Sequence, residues 1–443
     1  MNNKLKLVTV LFSLFTLQLA AQEKKTLTLD EAINLSLQNN KDLKLSQAKI
    51  DEATAALKEA VEKKLPNASI SGSYMRLNSA NIDIKRSNNN GGGSGSGESP
   101  NVSQAMYGML NISQPIYAGG RIKYGIESSQ FLEKAAKLDA EFEKDEVIQT
   151  TIEAFATLYK AKTAVRLMNE NLLQAKQRAT DLSNLEKNGL LARNDLMKAE
   201  LQTSNVELNL LDAENNWQLA NVNMNLMLGL PTATELVLDT AGVERKEDPR
   251  VLDDYLQSAL TGRKDVAALD MRKKAAESGV KVAKADKYPS LQVTGGYIAA
   301  DIPHVITVTN AMNIGVGVSY NIASLWKTKS KIQQAEARVK QMVITESILD
   351  DNIKLQVNKN YLSLISSRKK IEVAAKALEQ AKENYRIVKN KFDNSLATTT
   401  DLLDADVAQL QASLSYTLTR ADAFVAYNKL LQTSGILSAD LKK

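Results

Sequence analysis

The amino-acid sequence repeats itself over most of its length. Residues 29–74 align without a gap with residues 252–297, at an offset of 223, and residues 116–230 align with residues 322–436, at an offset of 206. Identical pairs occur along both blocks, among them Asp42 and Asp265, Pro66 and Pro289, Leu158 and Leu364, Asn188 and Asn394, and Gly229 and Gly435. Because each copy is expected to form the same structural unit, the fold is a repeat, and a repeat favours a wall-forming protein over one with a single catalytic pocket.

The first residues have the pattern of a secretory signal peptide. Lys4 and Lys6 precede an apolar run over residues 7–19, which ends at the small residues Ala20 and Ala21. The run is shorter than the ~20 apolar residues of a membrane-spanning helix, so we expect residues 1–21 to be removed on export. A retained membrane anchor is the alternative.

The composition argues against most site chemistry. The chain has no cysteine and one histidine, His304, so disulfides, thiolate metal sites and histidine-based catalysis are not expected. No Ser/His/Asp arrangement, metal-ligand cluster or phosphate-binding loop stands out, and we expect neither an enzyme nor a cofactor. The net charge of +5 is mild and evenly spread, which does not suggest a nucleic-acid partner.

Long helices are predicted in each copy. No proline lies between Pro115 and Pro231, and none follows Pro303. Apolar residues recur every seven positions, as in a coiled coil, at Leu158, Val165, Leu172 and Ala179 and at Leu364, Ile371, Leu378, Tyr385 and Phe392. Short turns at 188–189 and 394–395 divide these stretches into helical hairpins over residues 119–229 and 326–432. Shorter helices are predicted over residues 29–64 and 251–287.

Four segments alternate between apolar and small or polar residues. They are residues 67–77, 104–116, 290–300 and 312–322. Strands of about ten residues with one apolar face are typical of outer-membrane β-barrels, although a soluble two-sided sheet has the same alternation. Aromatic residues that suit a membrane interface stand at or near the strand ends, and they are Tyr107, Tyr117, Tyr288, Tyr320 and Trp326.

Four strands are too few to close a barrel, since about eight is the smallest number that closes. Open sheet edges are not tolerated in lipid, so the barrel has to be shared among chains, and three chains would supply twelve strands. The loop between the first two strands is longer than its counterpart and contains a Ser/Asn/Gly-rich tract over residues 87–100, which we interpret as an exposed flexible loop.

The predicted organisation is therefore mainly α with β. Its parts are the signal peptide (1–21), the first repeat (22–230), a linker (231–250), the second repeat (251–436) and a carboxyl-terminal tail (437–443).

On these features the chain resembles the TolC family of outer-membrane efflux proteins. The resemblance covers the whole mature chain and includes the turn motifs. The turns read Asn188-Gly189-Leu190-Leu191-Ala192-Arg193-Asn194-Asp195-Leu196 and Asn394-Ser395-Leu396-Ala397-Thr398-Thr399-Thr400-Asp401-Leu402. They are similar to the family pattern of a glycine followed six residues later by aspartate and an apolar residue, with Ser395 in place of the second glycine.

The resemblance implies a homotrimer in the outer membrane of a Gram-negative bacterium. Twelve strands would form the barrel, continuous with a helical barrel in the periplasm. The shorter helices, the linker and the tail would wrap it as an equatorial collar. A periplasmic adaptor protein and an inner-membrane pump would complete the path, either for efflux or for type I secretion, and the chain would be a passive conduit opened at its periplasmic end.

The resemblance also implies roles for the turn residues. The hairpin tips, Asn188, Gly189, Leu190 and Leu191 with Asn394, Ser395, Leu396 and Ala397, would contact the adaptor. Asp401 and Asp404 match aspartates that line the closed mouth, and Asp195 matches one that ties neighbouring coils together. Phe392 and Ala397 stand where the family has a tyrosine and an arginine, so the usual polar latch is incomplete.

Simpler roles exist for the same residues. The tips are also ordinary turn formers, Asp401 suits a helix cap and Asp404 a solvated first-turn acid. A periplasmic coiled-coil adaptor or structural protein is the alternative function. It explains the signal peptide and the heptads, but it does not explain the repeated strand pairs.

Overall fold

A computed structural model describes residues 24–81, 101–239, 250–303 and 306–440. The predicted signal peptide (1–21), the Ser/Asn/Gly tract (87–100) and His304 lie outside the described residues. The chain divides into two compact units. The helical unit comprises Met1–Ala48, Leu138–Ala267 and Ser347–Lys443, and the sheet unit comprises Lys49–Lys137 and Ala268–Glu346. Both copies of the repeat contribute to each unit.

From α1 onward the two copies have the same order of elements. The first contains β1 (Lys24–Leu27), α1 (Leu29–Asn39), α2 (Lys41–Glu62), β2 (Asn67–Asn81), β3 (Asn101–Ala118), α3 (Arg121–Lys187) and α4 (Arg193–Leu228). The linker contains β4 (Glu235–Leu238). The second copy contains α5 (Leu252–Gly262), α6 (Lys264–Ala285), β5 (Ser290–Ile302), β6 (Ile306–Ser319), α7 (Ser324–Asp393) and α8 (Thr399–Thr433), and the tail contains the short α9 (Leu437–Asp440). The chain is therefore mostly helical, with some sheet.

The sheet unit contains one antiparallel sheet in the order β2-β3-β5-β6. Its register aligns apolar residues in rows across the strands, because Ile70 pairs with Leu110, Leu110 with Tyr297 and Tyr297 with Met312. Side chains alternate between the two faces of a strand, so all of these share one face. This apolar face is open to the surroundings in the single chain, where Ile70 is 85% exposed.

The other face of the sheet carries small and polar residues. One of its rows joins Ser69, Asn111 and Gly296, whereas the next row joins Ser71 to the apolar Met109 and Ile298. Tyr107 pairs with Ser73 and therefore lies on this polar face. The role of Tyr107 as a membrane-interface aromatic stays a prediction, with its side chain on the polar face of the sheet. A β-strand has a side-chain period of two, and Tyr107 falls on the odd-numbered positions of β3.

The helical unit is built around a buried apolar cluster in which the two copies meet. The long helix α3 contributes Ile152, Phe155 and Leu158, and α7 contributes Ile353 and Leu364. These are the core-facing positions that a helical period of 3.6 produces. In the described residues, no helix has a long enough apolar stretch to cross a bilayer.

The linker between the copies contains a strand that the sequence did not predict. β4 pairs in parallel with β1. Asn221 of α4 holds this strand, since its Nδ2 donates to the carbonyl of Thr234 (2.7 Å) and its Oδ1 accepts from the N–H of Leu236 (3.0 Å). Four-residue strands are too short for a periodic signal, so these two were missed.

Each shorter helix is interrupted, although the sequence predicted continuous helices over residues 29–64 and 251–287. The interruptions are at Asn40 and Arg263, which are matched positions of the repeat. The Oδ1 of Asn40 accepts from the N–H of Asp42 (2.7 Å) and caps α2. Arg263 bonds Asp265 and the carbonyl of Thr433 (3.0 Å). The apolar stripe of each shorter helix continues past its interruption, so the hydrophobic period in the sequence did not indicate the two breaks.

A glycine at the end of each helical hairpin packs closely against the site where the shorter helix of the same copy is interrupted. Gly229 and Gly435, another matched pair, have φ of 70° and 71°. A Cβ on Gly229 would lie 2.8 Å from the Cβ of Asn39, and one on Gly435 would lie 3.2 Å from Arg263. Both the left-handed backbone and the close approach require glycine. The same docking arrangement is thus used once in each copy.

Candidate functional site

The two hairpin turns have the same backbone geometry. Gly189 has φ of 73° and Ser395 has φ of 59°. In the first turn the N–H of Leu190 donates to the carbonyl of Leu185 (2.9 Å), and in the second the N–H of Leu396 donates to the carbonyl of Lys391 (2.7 Å). These bonds complete a Schellman motif at the end of each long helix. The serine that replaces glycine in the second copy therefore keeps the left-handed conformation.

The turns present apolar side chains to solvent. Leu190 is 74% exposed and Leu396 is 76% exposed. Asn188 and Asn394 each bond the backbone one turn back, at 2.7 Å, and so brace the ends of the long helices. Leu191 and Ala397 are half-buried. Each turn thus presents one exposed leucine in a fixed position.

Asp401 is held by its own helix. Its Oδ2 accepts from the backbone N–H (2.8 Å) and from the hydroxyl (2.7 Å) of Thr398, and its N–H donates to the Thr398 Oγ1 (3.2 Å). This is a capping box at the start of α8. The hydroxyl bond and then the backbone bond from Thr398 lower the pKa of Asp401 below its ordinary value, so the group is ionised at neutral pH.

The remaining gate candidates do not converge on Asp401 within one chain. Asp195 forms an ion pair with Lys198 (3.0 Å), and the same ammonium approaches the hydroxyl of Thr400 at 3.4 Å. Asp404 is exposed and Phe392 is half-buried. Lys198 therefore joins the first turns of α4 and α8, a contact that the sequence did not predict.

A buried ionic contact between the copies was also missed. Asp406 of α8 accepts from Arg178 (2.9 Å) and Asn171 (3.2 Å), both on α3. The side chains of Arg178 and Asp406 are 10% and 4% exposed. One feature of the sequence could have indicated this contact: Asp406 is an acidic residue on the buried face of α8, next to Leu402 and Ala405.

This contact has no counterpart of the same chemistry in the other half of the repeat. The positions that match Arg178 and Asp406 hold Asn384 and Glu200, and Glu200 is exposed. Desolvating a charge pair is costly unless its partners are well placed, so Asp406 is favourable only where Arg178 faces it.

The predicted interfacial aromatics, apart from Tyr107, lie at the helix-connected end of the sheet. Tyr117 is the second-to-last residue of β3. Tyr288 lies two residues before β5 begins, and Tyr320 directly follows β6. Trp326 is in the first turn of α7, and all four rings are exposed. Within the described ranges no group of three or more His, Cys, Asp or Glu side chains could hold a metal ion.

Comparison with known proteins identifies relatives along both copies. The family model described as outer membrane efflux protein matches residues 32–230 and 255–435. The outer membrane efflux protein BepC of Brucella suis is 21% identical over 409 residues, which cover 89% of this chain and 88% of the relative. The pyoverdine export outer membrane protein OpmQ of Pseudomonas putida is 24% identical over 265 residues, covering 59% of this chain and 54% of the relative.

Solved structures of channels have the same fold. The outer membrane channel CmeC of Campylobacter jejuni superposes with a TM-score of 0.75 at 19% sequence identity. The superposition covers 94% of this chain and 88% of the CmeC chain. The outer membrane protein VceC of Vibrio cholerae superposes with a TM-score of 0.74 at 18% identity, covering 92% and 96%.

Truncating the buried acid is expected to destabilise the helical unit far more than truncating its exposed neighbour. Asp406→Ala leaves Arg178 buried without its anion and should lower the free energy of unfolding by about 3–5 kcal/mol. Asp404→Ala, two residues away and exposed, should change it by less than about 0.5 kcal/mol. Denaturant unfolding followed by the helical circular dichroism signal measures both. Equal losses for the two variants would show that the ion pair has no special role.

Proposed function

The chain belongs to the outer membrane efflux protein family. On that premise we propose that three copies of the chain form a duct that opens at one end. The protein is an outer-membrane exit duct for efflux systems. The family is one of transport conduits rather than enzymes, and it sets aside the alternative of a periplasmic coiled-coil adaptor.

The observation that carries the proposed assembly is the four-stranded sheet with an exposed apolar face. Strands β2 and β6 stand at its edges, and an edge strand offers unpaired N–H and C=O groups to another chain. A barrel closes with about eight strands or more, so one chain cannot close it alone. Pairing β6 of one copy with β2 of the next, three times, gives a closed barrel of twelve strands with its apolar face toward lipid.

The helix-connected end of the sheet is proposed to face the periplasm. Tyr117, Tyr288, Tyr320 and Trp326 are exposed at that end, where aromatic rings favour the membrane interface. The helical hairpins would then form a periplasmic stem, and the shorter helices with β1 and β4 would form its collar. We therefore propose that the duct lies in the outer membrane of a Gram-negative bacterium with its stem in the periplasm.

The hairpin tips are proposed to contact a periplasmic adaptor that also engages an inner-membrane pump. Leu190 and Leu396 supply the exposed apolar surface. Asn188 and Asn394 fix the backbone that presents them.

Asp401 and Asp404 are proposed to form the negatively charged mouth of the closed duct. They are three residues apart on α8 and so share a helix face. In a trimer they would make two rings of three carboxylates, which attract cations and repel anions. Asp195 and Phe392 are proposed to lie beside this mouth, with Lys198 supplying the basic group of the latch.

The assembly is tested by the mass and shape of the detergent-extracted protein. Light scattering should give the mass of a trimer, and negative-stain images should show a compact body with a long hollow stem. A monomer that stays dispersed without detergent would refute the proposed barrel.

The charged mouth is tested by conductance in a planar bilayer. Asp401→Asn with Asp404→Asn removes the charge while leaving an oxygen that can accept from Thr398, so the helix cap is kept. We expect a severalfold weaker block by divalent cations or a larger conductance, because the ring attracts cations. Asp393→Asn, which removes an exposed acid paired with Lys389, is the matched control. Unchanged block and current in the double variant would contradict the charged mouth.

The tip contact is tested by an export assay. Apart from its chain neighbours, no atom lies within 4 Å of a Cβ built on Gly189, so an arginine there meets no clash, although the φ of 73° strains any side chain. Ser395 holds the same left-handed conformation at the matched turn, so Gly189→Arg should still assemble while its side chain obstructs the adaptor. We expect a large loss of export with an unchanged trimer. Gly189→Ser reproduces the residue of the second tip and should retain more export than Gly189→Arg. Full export by the arginine variant would argue against contact at this tip.

A further inference from the structure

The contact between α3 and α8 lies within one chain and joins the two copies of the repeat. A small cavity of about 80 Å³ is enclosed between the facing sides of the two helices. Its lining includes Leu167, Asn171 and Gln174 of α3 and Asp406, Gln409 and Ser413 of α8. The buried ion pair of Arg178 and Asp406 lies at this same contact.

The ion pair makes this contact costly to separate. The Nη1 of Arg178 is buried and has no hydrogen-bond partner among the described residues, so the guanidinium depends on Asp406 to compensate its charge. Asp406 also accepts from Asn171 (3.2 Å). Parting α3 from α8 would take both charges away from their partners, and a buried charge without a partner is strongly unfavourable.

The repeat predicts a second contact of the same kind. The offset of 206 relates α3 to α7 and α4 to α8, so the counterpart of α3 packed on α8 is α7 packed on an α4. In a closed ring of chains this α4 belongs to the next chain, because contacts between the two copies alternate with contacts between chains around the ring. This step rests on the trimer of the proposed function.

The face of α7 that this symmetry selects is bare in the single chain. Val373, which matches Leu167, is 60% exposed. Lys376, Gln380 and Asn384 on the same face are exposed as well. A face that is covered in one copy and open in the other has its partner outside the chain, and the repeat identifies that partner as a second copy.

The matching face of α4 has complementary charge but no buried acid. Glu200 and Glu207, which match Asp406 and Ser413, are exposed and acidic. They suit the exposed Lys376 of the next chain, since opposite charges on two surfaces favour their pairing. Exposed pairs of this kind contribute little to stability.

We propose that the duct opens at the contacts between chains, where α7 of one copy meets α4 of the next, while the contact of α3 with α8 inside each chain stays closed. The reason is the difference between the two matched contacts. Opening within a chain has to break the buried pair of Arg178 and Asp406, whereas opening between chains parts Asn384 from Glu200, which form no charge pair. The two hairpins of a chain therefore move together.

Matched cross-links test this division. The chain has no cysteine, so introduced cysteines react alone. Gln174→Cys with Gln409→Cys places a pair at the contact within the chain, and Gln380→Cys with Thr203→Cys places a pair at the equivalent positions between chains. A short, cleavable bifunctional thiol reagent joins each pair. On a denaturing gel the first pair should keep the mass of one chain, and the second should give dimers and trimers.

The opening is measured as potassium chloride current through single trimers in a planar bilayer, with the voltage raised until the unmodified trimer steps to its higher level. We expect the link between chains to abolish these steps and a reductant that cleaves the link to restore them. The link within the chain should leave the steps unchanged.

Each other result of the cross-linking has a defined meaning. Loss of the steps on linking α3 to α8, or normal steps with α7 linked to the next α4, would overturn the inference and leave the trimer standing. Failure of the second cysteine pair to give dimers or trimers would refute the ring of chains itself. An unmodified trimer with a single current level at every voltage would overturn the opening movement.

A single substitution tests the role of the charge pair without any cross-link. Asn384→Arg gives the contact between chains the residue that stands at the matched position 178, opposite Glu200 of the next chain. Position 384 is exposed in the single chain and lies inside a helix, where arginine is well tolerated. We expect opening steps to become severalfold rarer than in the control Asn384→Gln. Equal step frequencies in the two variants would contradict the proposal.

Discussion

The apolar face of the four-stranded sheet is the constraint on which the rest of the structure depends. Ile314 is 87% exposed, and Ile70, Met312 and Val318 on the same face are also largely exposed. Leaving such side chains in water forfeits about 1.5–3 kcal/mol each relative to burial. A sheet with this face and two free edges is stable only where apolar surroundings cover the face and further strands pair the edges. The helical unit, in contrast, has its own buried core and its own hydrogen-bonded caps.

The two copies of the repeat use the same glycine contacts and the same turns, and they differ at one buried ion pair. Gly229 and Gly435 dock the hairpin ends in the same way, and Gly189 and Ser395 turn the tips in the same way. The serine shows that the turn is set by the hydrogen bonds of the Schellman motif, at a modest conformational cost. Arg178 and Asp406 break the symmetry, since they bury a charge pair at one of the two matched helix contacts. A movement that parts α3 from α8 must separate these charges, so the two contacts differ in how readily they open.

Much of this fold follows from periodicity in the sequence. The heptads predicted the long helices because coiled packing repeats over many turns, and the alternation predicted the strands because one face differs from the other. The interruptions at Asn40 and Arg263 could not be predicted in this way, since the apolar stripe passes through both. Asn40 caps α2 through the N–H of Asp42, and Arg263 also bonds the distant carbonyl of Thr433. The contact of Asp406 with Arg178 joins residues 228 positions apart in the sequence. The site residues at the tips were visible as turn formers, but the local partners of Asp195 and Asp401 were not.

The capping box at Asp401 also bears on how the proposed charged mouth would respond to acid. The bonds from Thr398 lower the pKa of Asp401 below its ordinary value of 3.8. A carboxyl whose pKa is depressed on folding stabilises the fold above its unfolded pKa, and this stabilisation is lost as the pH falls through the folded pKa. In the proposed trimer, the same proton that removes the charge of the mouth would therefore also weaken the cap of α8. Mutual repulsion among three such carboxylates would act in the opposite direction, because like charges raise the pKa. Under that proposal the charge of Asp401 is a balance between a bond within each chain and a repulsion between chains.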